Sequence, residues 1–176
     1  PITRPPATTA ASILSVRAES DGRAILGIGR GDSALAYIGQ SPAKMAVYEA
    51  YVRDLSAYLA GEEVDQAGFP SRIRWLDQFD LPKVPIDMAC SGPRSIALAA
   101  TLAERVSLTV GAAPERIRWG LEQAHAAAEA ADRDPSTISF GAYINTTFDE
   151  DRAAARDAIR GGVAVFTHFQ GMQGNT

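Results

Sequence analysis

The chain has 176 residues, 46% of them hydrophobic and 22% charged, with a formal net charge of −4. That length suffices for one domain with a real core, and the charge balance gives no electrostatic reason to expect nucleic acid or an acidic membrane surface as a partner. The single cysteine, Cys90, excludes an internal disulfide and fits a reducing, cytoplasmic compartment, while no apolar run approaches the roughly 18 residues of a membrane span.

The first residue is Pro1 and not Met, so the expectation is a piece of a longer or processed protein. Pro1 to Pro6 reads as an extended loop, and Ala7 to Val16 as a helix with Pro6 favourable at its first turn. Ser20-Asp21-Gly22 is a turn signal. A short apolar run, Ala24 to Ile28, then empties into a loop with glycines at 27, 29 and 31. Such glycines allow a close approach of backbone to another body and φ values that other residues avoid. The spacing is G-x-G-x-G, which is not the dinucleotide fingerprint. Ser41-Pro42 reads as an N-cap with proline at the first helical position. Met45, Tyr48, Val52, Leu55 and Leu59 continue it as an amphipathic helix ending at Gly61. Residues 62–83 read as an irregular excursion.

Val84 to Cys90 is the second clear strand, and Ser91-Gly92-Pro93-Arg94 opens a helix running to about Ala103. Val106 to Val110 is a third strand. Gly111-Ala112-Ala113-Pro114 opens the next helix, with Ile117, Leu121, Ala124 and Ala128 on its apolar face. Asp132 to Ser136 is a turn cluster, Thr137 to Asn145 a fourth strand, and Phe148-Asp149-Glu150-Asp151 starts a last helix with carboxylates placed for its dipole. Regular βα alternation predicts an α/β fold with an all-parallel sheet, open or closed into a barrel. Four strands do not close an eight-stranded barrel.

The helix starts after the second and third strands are the better ligand signals. In Ser91-Gly92-Pro93-Arg94, proline at the first helical position leaves the N–H groups of Arg94 and Ser95 facing outward, the Ser91 hydroxyl and Arg94 guanidinium are close in sequence, and the helix dipole favours an anion. Gly111-Ala112-Ala113-Pro114 repeats the arrangement without the charge. Ordinary N-capping explains the same residues with no ligand. His125 and His168 sit within helices and read as surface or packing residues, and two isolated histidines make no metal site. Cys90 has no visible base and reads as a small packed residue. Asp87, inside an apolar strand, requires a partner or a shifted pKa. Arg30 and Asp32 are placed to pair within the glycine loop. Anion-binding loops without an evident acid, base or nucleophile point to a cofactor that carries the chemistry.

These blocks occur in a familiar order. Pro1-Ile2-Thr3-Arg4-Pro5-Pro6 before an Ala-rich helix, Gly22 to Ala34, Ser91-Gly92-Pro93-Arg94 and Arg133-Asp134-Pro135-Ser136 resemble those of the bacterial-luciferase-like family, within it the coenzyme F420-dependent, methylenetetrahydromethanopterin reductase-like branch. The resemblance implies a (β/α)₈ TIM barrel about twice this length, of which residues 1–176 supply roughly strands four to seven with flanking helices. It implies that Ser91, Gly92, Pro93 and Arg94, with Gly111 and Ala112, hold the cofactor phosphate, and that Gly29, Gly31, Asp32 and Ser33 line the site near cofactor or substrate. It further implies a small-molecule substrate and a homo-oligomer at full length. Three departures stand out: Ala103-Glu104-Arg105 where relatives often carry Ala-Asp-Gly, Asp132 where they often carry Gly, and the carboxylate Asp87.

The expected activity is hydride transfer between coenzyme F420 and a small organic substrate. The alternatives are an FMN-dependent monooxygenase of the same family and a non-catalytic cofactor-binding relative or inactive fragment. A half-barrel has open sheet edges, an aggregation hazard.

Overall fold

The computed structural model describes residues 1, 3–78 and 82–171, and the side chains of Ser33 and of residues 165–171 lie outside that description. The chain divides into two compact units, Pro1–Asp87 and Met88–Thr176. The described elements in the first are α1 (Pro6–Glu19), β1 (Leu26–Ile28), α2 (Asp32–Ala36), α3 (Met45–Leu59), β2 (Val64–Gln66), β3 (Phe69–Ser71) and a 3₁₀ turn (Arg74–Gln78). β4 (Ile86–Cys90) carries the chain into the second unit. There follow α4 (Pro93–Leu102), β5 (Arg105–Leu108), α5 (Pro114–Ala130), a 3₁₀ turn (Pro135–Thr137), β6 (Ser139–Ala142) and α6 (Arg152–Gly171).

The main sheet has the order β1-β4-β5-β6, as a succession of βα units requires. β5 and β6 pair in parallel, from Arg105 opposite Ser139 to Leu108 opposite Ala142. At the start of β4, Pro85 O accepts from Leu26 N–H, the first residue of β1. At its end, Cys90 O accepts from Thr109 N–H, just past the end of β5. Starts meet starts and ends meet ends, so these pairs run in the same sense. The connections after β4, β5 and β6 therefore leave from one end of the sheet.

In the first unit, α3 buries Tyr48, Tyr51, Val52, Leu55, Tyr58 and Leu59 on one face, with the i, i+3, i+4, i+7 recurrence of an amphipathic helix. It packs on α1, whose Ala10 and Leu14 are buried. The three tyrosines keep their hydroxyls satisfied: Tyr51 OH shares a 2.6 Å hydrogen bond with Thr9 Oγ1, Tyr58 OH donates to Ser71 Oγ, and Tyr48 OH reaches Ile28 O. Arg17 is buried on α1, where its Nη1 donates to Ala24 O at 3.1 Å beneath Gly22.

Three sequence expectations are corrected in this unit. Ser41-Pro42 does not open α3: the helix starts at Met45, and Lys44 is extended (ψ 145°). Ala43 N–H instead donates back to Arg30 O, which uses these residues as a connection to the glycine loop. Residues 62–83 are not wholly irregular, because β2 and β3 form an antiparallel hairpin through Ala67 (φ 55°) and Gly68 (φ 88°). Phe79, Asp80 and Leu81 of that stretch lie outside the described residues. Finally, α1 runs on to Glu19, past the Val16 predicted as its end.

In the second unit, Met88 and Cys90 of β4 and Val106 and Leu108 of β5 are buried, alternating with more accessible residues. α4 and α5 pack on each other, burying Ile96, Ala99 and Ala100 with Gly120, Ala124 and Ala128. Gly120 sets how closely α5 approaches the sheet, since a Cβ there would lie 2.9 Å from Leu108 Cδ1. We expect Gly120→Val to cost about 2–3 kcal/mol through overpacking. Gly161→Ala, with nothing within 4 Å of the added Cβ among the described residues, should be neutral or stabilising by up to ~1 kcal/mol. Urea denaturation of the two variants checks the contrast.

The fourth predicted strand, residues 137–145, shortens to β6, because Thr137 belongs to the 3₁₀ turn and residues 143–151 lie outside any strand, although Tyr143 N–H still donates to Leu108 O at 2.9 Å. α6 begins at Arg152, and the acids expected inside its first turn precede it as caps: Asp151 Oδ1 accepts from Ala153 N–H and Asp149 Oδ1 from Asp151 N–H, each at 2.8 Å. In the turn cluster, the Ser136 hydroxyl and backbone N–H both donate to Asp134, holding its carboxyl below the usual range. With the folded pKa depressed, these bonds add stability above the unfolded pKa, and that contribution disappears as pH falls through the folded value. Ser136→Ala should raise the Asp134 pKa toward that of a free carboxyl, as a carbon-detected NMR titration would register.

Candidate functional site

The second unit sets two loop-to-helix junctions side by side at the carboxyl ends of β4 and β5. Thr109 ties them: its N–H and its Oγ1 both donate to Cys90 O, at 2.8 and 3.0 Å. Ser91 and Gly92 follow directly from Cys90, and Gly111 lies two residues beyond Thr109. The predicted residues Ser91, Gly92, Pro93 and Arg94 are thus neighbours of Gly111 and Ala112.

At the first junction Gly92 is extended (φ −102°, ψ 160°) and Pro93 takes the first helical position. The first intrahelical bond runs from Ile96 N–H to Gly92 O, so the N–H groups of Arg94 and Ser95 precede the helical ladder. Ser91 and Gly92 are half-buried, and the Arg94 side chain is exposed. Ser95 is a residue that sequence reading passed over. Its Oγ accepts from Gly92 N–H and donates to Gly92 O, at 3.3 and 3.0 Å. The signal was available as a hydrogen-bonding side chain three residues past the cap. Its effect is to tie Ser95 to the backbone of Gly92 and so fix the junction.

The second junction is not a copy of the first. Gly111 has φ +84°, a conformation that favours glycine, and Pro114 again takes the first helical position. Arg116 N–H, however, already donates to Ala113 O at 3.0 Å, and Glu115 puts a carboxylate in the first turn. That carboxylate competes with a bound anion for the dipole. The start of α4 has no acidic residue in its first turn and carries the exposed Arg94 side chain. On α5, Arg116 lies over the Trp119 ring, 4.2 Å from its centroid.

The remaining predicted residues lie in the first unit. Gly31 has φ +91°, and a Cβ there would sit 2.9 Å from Leu35 Cδ1. Gly27, by contrast, would meet nothing within 4 Å among the described residues. Arg30 and Asp32 pair as predicted, with Nη2 3.4 Å from Oδ1. Ser33 begins α2 with Asp32, and its side chain lies outside the described residues.

Of the other candidates, Cys90 is buried, with Sγ 3.9 Å from Ser107 O. Asp87 is half-buried and engaged with the protein. His125 is exposed on α5, its ring 5.2 Å from that of Phe140. His168 falls in α6, with its side chain outside the described residues. Among the described residues no group of three or more His, Cys, Asp or Glu could hold a metal ion, and no helix is long and apolar enough to cross a membrane.

The model of the luciferase-like monooxygenase family matches residues 1–175. The chain belongs to that family. A 5,10-methylenetetrahydromethanopterin reductase from Methanolobus tindarius is 31% identical over 165 residues, covering 91% of this chain and 50% of its own length. The luciferase-like chain thus spans about half the length of the curated relatives it matches. Among solved structures, the coenzyme F420-dependent tetrahydromethanopterin reductase from Methanopyrus kandleri superposes with a TM-score of 0.71 at 22% identity, over 93% of this chain and 52% of that one. An F420-dependent secondary alcohol dehydrogenase, solved with an F420–acetone adduct, gives 0.75 at 20% identity over 90% and 50%. These likenesses show the fold: an α/β architecture with a mostly parallel sheet, matching the luciferase-like TIM barrels over part of their length.

Proposed function

We propose that this chain forms the phosphate-holding part of an oxidoreductase that uses coenzyme F420 to exchange a hydride with a small organic substrate. The observation that carries this reading is the α4 start, where two N–H groups precede the helical ladder beside an exposed arginine. It is supported by the neighbouring Gly111 turn and by the F420-dependent enzymes among the structures of similar fold. The residues present fit a phosphate monoanion or dianion: their donors outnumber acceptors, and the Arg94 guanidinium neutralises charge without needing to be buried.

In this reading Arg94 and the N–H groups of Arg94 and Ser95 bind the phosphate, while Gly92 and Gly111 keep side chains out of its place. Ser95 holds the junction in its binding shape before the ligand arrives, which lowers the ordering cost. When bound, F420 supplies a two-electron hydride carrier, so the protein's own contribution is position, charge and exclusion of water. Gly29, Gly31, Asp32 and Ser33 are proposed, separately, to lie near cofactor or substrate.

The test is a fluorescence titration of the chain with F420. Arg94→Ala should weaken binding about tenfold, equivalent to about 1.4 kcal/mol and modest because an exposed charge is screened. Unchanged affinity would remove Arg94 from the cradle. The family's monooxygenase description favours a second reading with FMN. FMN binding in preference to F420 would select it.

A further inference from the structure

Arg30 holds a guanidinium that its own loop only half uses. Asp32 touches it once, through Nη2 at a long 3.4 Å, although a carboxylate can engage an arginine fork at two nitrogens. Arg30 Nε is shielded from solvent and has no hydrogen-bond partner among the described residues. An enclosed, unsatisfied donor on a charged group is costly and calls for an explanation. The side chain as a whole keeps 22% of its surface accessible, and that of Asp32 keeps 41%. Part of the guanidinium therefore stays open to solvent beside a partly accessible Asp32 carboxylate.

The backbone holds Arg30 in position from both sides. Its carbonyl accepts from Ala43 N–H, and the following Gly31 is fixed at φ +91° with Leu35 against it. Leu35 N–H donates to Gly31 O at 2.9 Å, closing the turn. The loop leaves from the end of β1, so this is a preset cation at a strand's carboxyl end, the usual place for ligands in α/β sheets.

We infer that Arg30 is an oxyanion-binding residue, and that Asp32 occupies the fork in the absence of ligand. A carboxylate or phosphate oxygen pair bonds Nε and Nη2 together and displaces the Asp32 carboxylate. The ligand is an anionic group of either the substrate or the cofactor. The inference goes beyond the F420 reading and has its own readout.

The experiment is ¹H–¹⁵N NMR of the arginine Nε–H signals in the chain, with the Arg30 signal assigned by its loss in Arg30→Lys. Sodium acetate and sodium phosphate are the probes, and sodium chloride at matched ionic strength is the control. The expected result is a saturable downfield shift of the Arg30 signal with acetate or phosphate and none with chloride. Asp32→Asn should tighten that binding, by up to about fivefold, because an exposed ion pair of up to ~1 kcal/mol no longer competes. Repeating the titration with F420 present separates the sources: blocked anion binding assigns the oxyanion to the cofactor, and persisting binding assigns it to the substrate. A response identical to that in chloride, or weaker binding in Asp32→Asn, would overturn the inference and leave Arg30 as a loop staple. F420 titration of Arg94→Ala reports on the cofactor reading separately, so either can fail alone.

Discussion

Gly92→Asp should stabilise the protein and, under the proposed function, abolish most of its affinity for F420. The two effects have one cause, a negative charge placed at the N-terminus of α4. The backbone accepts the substitution, because Gly92 has φ −102° and a Cβ there would find only Ser95 Oγ, at 4.0 Å. Asp is a better N-cap than Gly by a few tenths of a kcal/mol, and its charge gains about 0.3–1 kcal/mol from the dipole. The same carboxylate faces any bound phosphate. At about 5 Å and an effective dielectric near 20, like unit charges repel by about 3 kcal/mol before salt screening. The expected outcome is F420 affinity about a hundredfold weaker, with a melting temperature equal to or above that of the parent. Gly92→Ser supplies the cap without the charge and should bind within about threefold of the parent. Equal losses in both variants would mean that geometry and not charge governs the junction; affinity retained in Gly92→Asp would place the phosphate elsewhere.

Gly31→Ala should be the most damaging single-methyl change in the glycine loop. Two costs add there. A positive φ costs a residue with a Cβ roughly 1–2 kcal/mol, and Gly31 has φ +91°. The new methyl would also lie 2.9 Å from Cδ1 of Leu35, which is buried, and overpacking of that kind costs about 1–3 kcal/mol. The total is about 3 kcal/mol, measured by chemical denaturation. A double-mutant cycle with Leu35→Ala divides it. Removing the Leu35 methyls relieves the packing part and not the backbone part, so the cycle should return a favourable coupling of about 1 kcal/mol or more. Additive costs would show that strain at φ accounts for the whole effect.

The sequence showed the order of elements well because strands and helices here announce themselves by different means. α3 repeats Tyr48, Val52, Leu55 and Leu59 at helical spacing and stops at Gly61, which has φ +74°. Pro6, Pro93 and Pro114 all stand in the first turn of a helix, as their fixed φ predicts. What was not legible depended on partners distant in sequence. Ser41-Pro42 carries a cap signal, yet Ala43 is drawn to Arg30 O and the helix waits until Met45. The hairpin of β2 and β3 was hidden because each strand has only three residues, β3 contains Pro70, and the turn is Ala-Gly where the common signal is Asn-Gly. Arg17 was unreadable as a buried residue because charge predicts exposure, and only the Ala24 carbonyl explains its place.

The candidate site divides along the same line. Prolines and glycines marked both junctions of the second unit from the sequence. That the two differ depended on Ser95, Glu115 and the Arg116 N–H, whose roles follow from local geometry.

The paired donation of Thr109 to Cys90 O also bears on timescales. An amide in that position exchanges its hydrogen with solvent only when the ends of β4 and β5 separate, so the Thr109 exchange rate reads the frequency with which the cradle's base comes apart. Removing the hydroxyl alone, as in Thr109→Val, keeps the backbone bond and a similar volume while deleting one of the two donors. Faster exchange at that amide, with the neighbouring β5–β6 ladder unaffected, would mark this carbonyl as the clasp that lets both loops wait for a ligand already in shape.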